Sequence, residues 1–222
     1  MTPKFKEHKK VVQYDLLSEI LAEGAQRVGK YGFPQLEQQE YIPEENPLPI
    51  NYLLSSTDRS SHWFHCFVED SQFERLWHNY FKYVPIVCEA AGIIGTDFSL
   101  YRDYEEDILI RNCLRNRTLA YAYQKLGLKV IPTAGFAGEN TWGWCYDGLP
   151  SESSIAITTN GTLSDPEARR LFVGGLDALV VLKRPKNLII CGHYPDWITQ
   201  KYPNTNIVSI PSYSQMWRRR VR

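Results

Sequence analysis

The sequence lacks the features that mark secreted and membrane-spanning proteins. Its five cysteines are odd in number and scattered over 222 residues, without a Cys-x-x-Cys pair. This pattern predicts reduced, mostly buried thiols rather than a disulfide framework. No apolar run approaches the length of a membrane span, since even residues 171–182 include Asp177. The charged N-terminus also lacks the apolar segment of a signal peptide. We therefore expect a cytoplasmic protein with no membrane partner.

The chain also lacks net charge. Lysine and arginine number 25, and aspartate and glutamate number 25. This balance excludes a nucleic-acid binder that works through bulk positive charge. The basic residues nevertheless cluster at both ends, at Lys4, Lys6, Lys9, Lys10, Arg218, Arg219, Arg220 and Arg222. Two interpretations stay open: solvated, mobile termini, or arms that contact phosphate groups.

Short apolar segments alternate with amphipathic ones along most of the chain. With 43% apolar and 23% charged residues, the 222 residues suit one α/β domain with a sizeable core. Such alternation predicts parallel β/α units with both sheet faces covered. The expected architecture is an incomplete or distorted (β/α) barrel, and the alternative is an open doubly wound sheet. The seven predicted strands lie at about 50–54, 62–70, 91–97, 128–133, 154–159, 187–192 and 206–210.

We expect the chain to consist of three parts. Residues 1–47 are expected to form an N-terminal helix over 11–28 and an extended arm, residues 48–214 the α/β domain, and residues 215–222 a basic C-terminal tail. Within the domain, helices are predicted at about 72–83, 104–126, 165–183 and 195–201.

Polar side chains follow several predicted strands where those strands end. They are Asp97 and Ser99, then Thr133, then Thr158 and Asn160. Because the carboxyl ends of parallel strands meet on one face, we expect one site built from these residues. Asp97 lies several residues ahead of the next helix, so a capping role explains it poorly. We predict that Asp97 and Ser99 are catalytic and that Thr133, Thr158 and Asn160 bind ligand, although Ser99 lacks a nucleophile-elbow context.

Arginines on the long predicted helix supply a second candidate group. Arg117 falls on the apolar side of this helix, where a guanidinium needs a carboxylate, phosphate or carbonyl partner. Two alternatives stay open for it, a structural ion pair to Asp97 or Asp103, or an anion clamp. We count Arg102, Arg115 and Arg117 as candidate ligand-binding residues.

Aromatic and histidine clusters complete the candidates. Trp142 lies in a glycine-bearing loop beside the expected site, where its ring could stack on a base or pack as a lid. His62 and His65 point to opposite faces of their predicted strand and do not easily share a metal, so no metal site is predicted. No Walker or dinucleotide fingerprint is present, and the cofactor stays open.

Several motifs together resemble an uncharacterised family, a domain of unknown function found in phages, plasmids and other bacterial mobile elements. The resemblance implies a phage or mobile-element setting, hence the host cytoplasm, and no established activity. One departure is Gly95-Thr96 before Asp97, where members usually have proline just before the aspartate. The matching segments are Tyr31-Gly32-Phe33-Pro34, Phe73-Glu74-Arg75-Leu76-Trp77, Asp97-Phe98-Ser99-Leu100-Tyr101-Arg102-Asp103, Arg115-Asn116-Arg117, Lys129-Val130-Ile131-Pro132-Thr133, Cys145-Tyr146-Asp147-Gly148 and Gly174-Gly175-Leu176.

Three functional hypotheses follow. The first is an enzyme acting on nucleotides or a nucleic-acid base, with Asp97 as nucleophile or general base and the arginines holding phosphate. The second is a non-catalytic nucleotide- or nucleic-acid-binding protein. The third is an inhibitor of a host defence or replication factor, with a host protein as partner. Substrate and oligomeric state are not predicted.

Overall fold

The computed structural model describes residues 16–220, with side chains described up to residue 216. Its strands form one antiparallel pair and two parallel sheets. β1 pairs antiparallel with β2, β3 to β6 form the first parallel sheet, and β7 to β9 form the second. The strands are β1 (Arg27–Val28), β2 (Phe33–Pro34), β3 (Leu48–Pro49), β4 (Trp63–His65), β5 (Gly92–Ile94), β6 (Val130–Ile131), β7 (Ser154–Thr158), β8 (Asn187–Cys191) and β9 (Asn206–Ile210).

The parallel strands are neighbours in chain order from β3 to β9. An isolated parallel bridge between Thr133 and Ala156 connects the end of the first sheet with β7. Neighbours in chain order are typical of a (β/α) barrel. Within residues 16–220, however, no ladder joins β9 to β3, so the sheet stays open and no closed barrel forms. The predicted α/β class with parallel β/α units is therefore confirmed, in an open arrangement.

The strands β5 and β8 bury both of their faces, with a strict alternation of side chains. On β5, Ile93 belongs to the main core and Ile94 to a separate, smaller cluster. On β8, Ile190 and Ile189 divide in the same way. Side chains of a strand alternate between faces, so two fully buried neighbours require cover on both sides. Among the residues whose side chains are described, every buried helical residue of the two clusters lies in the main core. The helices that supply these residues therefore pack on the main-core face of the sheet.

The helices connect successive strands. α3, the longest helix, starts with acidic residues and ends with Lys125 in its last turn, as the helix dipole favours. Besides the helical residues 16–21, the described helices are α1 (Arg75–His78), α2 (Tyr80–Val87), α3 (Glu106–Lys125), α4 (Pro166–Lys183), α5 (Trp197–Lys201) and α6 (Tyr213–Arg220).

Two predicted elements differ from the structure. The strand expected at 50–54 lies earlier, as β3, and Ile50–Tyr52 forms a 3-10 turn that buries Ile50. The helix expected at 72–83 is divided into α1 and α2 at Asn79, whose φ of −125° and ψ of 39° are not helical. In both regions the apolar spacing alone did not show where the backbone changes direction.

The chain ends differ from the sequence-based prediction as well. Of the helix predicted over 11–28, residues 16–21 are helical and Arg27–Val28 is strand β1; residues 11–15 lie outside the described residues. The N-terminal lysine cluster also lies outside them. Most of the basic tail predicted at 215–222 belongs to α6, and 221–222 are not described.

The N-terminal arm packs on the α/β core. Phe33 and Leu36 are buried in the main cluster. Gln124 of α3 accepts a hydrogen bond from Glu37 N at 3.0 Å and donates one to Glu37 O at 3.1 Å. The arm is therefore part of the same packed unit as the sheet.

Two further features concern the cysteines and the apolar character of the helices. All five cysteines are free, and four of them are buried, as predicted. Between residues 16 and 220, no helix combines the length and apolar character that crossing a bilayer requires.

Candidate active site

A cleft of about 700 Å³ opens at the carboxyl ends of β4 to β7. Its walls come from the segments that follow these strands and from the first turns of α4. The lining residues are Phe67, Val68, Glu69, Asp97, Ser99, Leu100, Tyr101, Arg102, Ala134, Gly135, Phe136, Ala137, Ile157, Thr158, Asn160, Gly161, Thr162, Asp165, Ala168, Leu171 and Phe172. The expected convergence of strand ends on one site is thus visible in the geometry.

Asp97 lies on the wall of this cleft, three residues after β5 ends. Its carboxyl group is partly buried, and none of the hydrogen bonds or ion pairs among residues 16–220 involves its side chain. Burial, with a smaller contribution from the nearby Asp70 carboxylate, raises the pKa of Asp97 to about 7, while Arg117 opposes the shift. A carboxyl group with a pKa near neutrality, and with no partner in the described part of the chain, therefore faces the cleft.

Ser99, the other catalytic candidate, is held by Asp70. Its Oγ donates to Asp70 Oδ1 at 2.9 Å, and its backbone N–H donates to Asp70 Oδ2 at 3.1 Å. The hydroxyl proton is thus engaged with a carboxylate that orients the serine beside Asp97. The contacts of Asp70 link the segment after β4 to the segment after β5.

Two asparagines of α3 form hydrogen bonds with the backbone of Phe98 and Ser99. Asn116 Oδ1 accepts the Phe98 N–H at 2.9 Å, and Asn116 Nδ2 donates to Phe98 O at 3.3 Å. One turn earlier, Asn112 Nδ2 donates to Ser99 O at 2.9 Å. Sequence reasoning missed this support, although the spacing of four between the two asparagines places them on one helix face.

Arg115 packs behind the cleft rather than in it. Its guanidinium lies 3.4 Å from the centre of the Phe98 ring, and it pairs with Glu74. The side chain is buried, and burial lowers its pKa while Glu74 opposes that effect. These contacts fix the Phe98 ring and leave Arg115 outside the lining of the cleft.

Arg117 is likewise committed to the protein. Its guanidinium donates to three backbone carbonyl oxygens, those of Asp147 at 3.0 Å, Thr133 at 3.0 Å and Cys145 at 2.7 Å. Neither the ion pair to Asp97 or Asp103 nor the anion clamp considered from the sequence matches these contacts. The physical reason is that several carbonyl oxygens can compensate a buried guanidinium as effectively as one anion.

Arg102 does line the cleft, as an exposed side chain. Its Nη1 donates to Asp165 Oδ2 at 3.0 Å, and that carboxylate also caps α4 by accepting the Ala168 N–H at 3.0 Å. Hydrogen bonds from Ala168 and Arg102 lower the pKa of Asp165. Arg102 and Asp165 therefore join the segment after β5 to the start of α4 across the cleft.

The remaining candidates divide between the cleft and the core. Thr158 and Asn160 line the cleft. Thr133 is buried and donates to Thr96 O at 2.6 Å, and the Trp142 ring packs closely on Gly174 of α4. The structure therefore brings Asp97, Ser99, Arg102, Thr158 and Asn160 together, and leaves Arg115, Arg117, Thr133 and Trp142 outside.

Aromatic residues that the sequence did not single out as ligand-binding line the cleft instead. Phe67, Phe136 and Phe172 contribute to its walls, and Tyr101 is 57% exposed. The motif Asp97 to Asp103 contains Tyr101, but exposure at a cleft mouth is a tertiary property with no sequence signal.

His65 points to the smaller cluster, where Phe67 packs against it. Its Nδ1 accepts the Phe67 N–H at 3.2 Å, and burial lowers its pKa to about 4, so it is neutral at pH 7. Among residues 16–220, no three His, Cys, Asp or Glu side chains are placed together to hold a metal ion.

The fold and the cleft define an α/β protein of parallel β/α units with a candidate active site at the strand ends. Within this class, the chain belongs to the family described as a domain of unknown function, DUF4417, whose model matches residues 25–211. The resemblance drawn from the motifs is thereby confirmed.

Two curated relatives are phage proteins. The Gene 1 protein of Mycobacterium phage D29 is 31% identical over 195 residues, which cover 86% of this chain and 69% of that protein. The Gene 1 protein of Mycobacterium phage L5 is 28% identical over 195 residues, covering 86% of this chain and 81% of that protein. No solved structure matches the chain.

Proposed function

We propose that this protein is an enzyme that acts on a nucleotide or a nucleic-acid component, with Asp97 transferring a proton in the cleft. The observation that carries the proposal is the partly buried Asp97 carboxyl group, which faces a cleft of about 700 Å³ and has no hydrogen-bond or ion-pair partner among residues 16–216. A perturbed titratable group in such a place is typical of catalytic sites.

The chemistry follows from the charge environment of Asp97. With a pKa of about 7, the group is present in both protonation states near neutral pH. A group in this range can accept a proton as a general base and return it as a general acid. Asp70 contributes by raising the pKa of Asp97, and Ser99 holds Asp70 in place.

Other lining residues would bind and orient the substrate. Thr158 and Asn160 supply hydrogen-bonding groups, and Arg102, which pairs with Asp165, lines the cleft with them. Arg115, Arg117, Thr133 and Trp142 have no direct role in this proposal, because they lie outside the lining of the cleft. The phage relatives support a place of action in the bacterial cytoplasm, where phage nucleic acid is processed.

A turnover assay with defined substrates tests this proposal. The purified protein is incubated with nucleosides, nucleotides and short single- and double-stranded DNA and RNA, and the products are separated and identified by mass. Asp97→Asn keeps the shape of the side chain and removes its proton transfer, so turnover should fall at least about a hundredfold. Asp103→Asn, an exposed residue outside the lining, is the matched control and should leave turnover unchanged.

Full activity of Asp97→Asn would contradict the proposal. Ligand binding without turnover in both the parent protein and Asp97→Asn would instead support the non-catalytic binding protein considered from the sequence.

A further inference from the structure

We infer that the group bound beside Asp97 is a nucleobase, that is, an uncharged or protonated nitrogen heterocycle. The phosphate of the same ligand adds no binding affinity in the cleft. The inference rests on the proposed function and narrows it to one part of the substrate. It comes from the charges, hydrogen-bonding groups and rings that line the cleft.

The charge of the lining opposes an anionic ligand. Three carboxyl groups line the cleft, those of Glu69, Asp97 and Asp165. Of the lysines and arginines in the described part of the chain, Arg102 alone lines the cleft, and it already pairs with Asp165 at 3.0 Å. A phosphate entering this cleft would therefore meet carboxylates, with no unpaired cation from the described residues of the lining to offset them.

The arginines of α3 do not change this balance. Arg117 directs its guanidinium to the carbonyl oxygens of Thr133, Cys145 and Asp147, and Arg115 directs its own to Glu74 and the Phe98 ring. Both are buried and outside the lining, so neither guanidinium reaches a ligand phosphate in the cleft.

The hydrogen-bonding capacity of Asp97 matches a nucleobase edge. A carboxylate accepts two hydrogen bonds side by side, and a neutral carboxyl group accepts one and donates one. Purine and pyrimidine edges present both patterns, as paired N–H groups or as an N–H beside a ring nitrogen. Asp97 can therefore form a two-point contact with a base in either protonation state.

The rest of the lining suits a flat, partly apolar ligand. Leu100, Phe136 and Phe172 give apolar wall surface, and Tyr101 exposes 57% of its surface as a ring on which a base can stack. A cleft of about 700 Å³ also lies within the range that holds small organic ligands.

Titration of the protein with matched ligands tests the inference. The probes are adenosine, guanosine, cytidine and uridine, their 5′-monophosphates, and inorganic phosphate, each followed by calorimetry at low and high salt. At least one nucleoside should bind, and its monophosphate should bind about five times more weakly at low salt. This gap should shrink at high salt, because salt screens the repulsion.

Two oligonucleotide arms distinguish a free nucleoside from a base within a strand. A short single strand carrying the preferred base is compared with a strand of equal length that has an abasic sugar at that position. A stronger signal from the base-containing strand than from the nucleoside assigns the ligand to nucleic acid, and the reverse assigns it to the free compound. Either result supports the inference.

Side-chain variants locate the ligand in the cleft. Tyr101→Ala should weaken nucleoside binding about tenfold through the loss of stacking, while Tyr101→Phe keeps the ring and should bind normally. Phe81→Ala is the matched control, because Phe81 is 67% exposed on α2 and does not line the cleft.

Tighter binding of the monophosphate or of inorganic phosphate than of the nucleoside would overturn the inference. The inference would also be overturned if no nucleoside and no base-containing strand bound to the protein. Neither result decides the role of Asp97 in turnover, which is measured separately with Asp97→Asn.

Discussion

Asp70 accepts two hydrogen bonds from one residue, Ser99. Its Oδ1 lies 2.9 Å from Ser99 Oγ and its Oδ2 lies 3.1 Å from Ser99 N. The pair joins the segment after β4 to the segment after β5, and it holds a negative charge close to Asp97. The electrostatics of the candidate site therefore depend on a residue that does not itself line the cleft.

Removing the charge of Asp70 should lower the pKa of Asp97. In Asp70→Asn, the pKa of Asp97 should move from about 7 toward its ordinary value of 3.8 and stop short of it, because burial still disfavours the charged form. The measurement is the pH dependence of the Asp97 carboxyl carbon in NMR spectra, assigned with Asp97→Asn. Glu69→Gln makes the same charge change one residue away and should leave this pKa nearly unchanged; equal shifts in both variants would exclude the specific coupling.

Asp97 should make the protein less stable as the pH rises. Its pKa in the folded state, about 7, exceeds its value of 3.8 in the unfolded chain, so the folded state binds more protons between these pH values. The free energy of unfolding should therefore fall from about pH 4 to pH 7, by at most about 4 kcal/mol. Urea unfolding at several pH values measures this loss.

Asp97→Asn supplies the comparison for this pH dependence. The amide does not titrate, so the difference in unfolding free energy between the variant and the parent protein should shift in favour of the variant as the pH rises to 7. A constant difference across this range would show that Asp97 has an ordinary pKa in the folded protein.

Asn116 should be necessary for the stability of the Phe98 segment. Asn116→Ala leaves the Phe98 N–H and C=O without their partner in a buried position, which should cost about 2 kcal/mol. Urea unfolding at constant pH measures this cost. Asn204→Ala removes the same group from an exposed turn and should change stability by less than about 0.5 kcal/mol. A similar small effect at both positions would contradict the prediction.

The two glycines of α4 should differ in their effect on the cleft. A Cβ at Gly174 would overlap the Trp142 ring, and one at Gly175 would overlap the Phe136 ring. Both Gly→Ala variants should therefore lose about 1–3 kcal/mol, through overpacking. Because Phe136 lines the cleft and Trp142 does not, only Gly175→Ala should also weaken ligand binding.

Gly143 provides the control for these two variants. A Cβ at Gly143 has open space, so Gly143→Ala should leave both thermal stability and ligand binding close to those of the parent protein. Equal binding by Gly174→Ala and Gly175→Ala would show that Phe136 does not shape the cleft.

Much of the architecture was predictable from local patterns. Ser154–Thr158 and Asn187–Cys191 are short apolar runs of the kind that parallel strands require, and both are strands. Asp165 before Pro166 predicted the start of α4, and Asp165 caps that helix. The position of Asp97 at a strand end was equally visible. Signals of this kind depend only on residues that are close together in the sequence.

The sequence by itself therefore determined the α/β class, the positions of most parallel strands along the chain, the family and the place of Asp97 at the carboxyl end of β5. Only the tertiary structure decided which groups meet Arg117, Asn116 and Ser99, and that the sheet stays open. A buried guanidinium requires compensation, but a carboxylate, a phosphate and a set of carbonyl oxygens all provide it. The choice among them depends on which distant segments pack together, and spacing along the chain does not encode that choice.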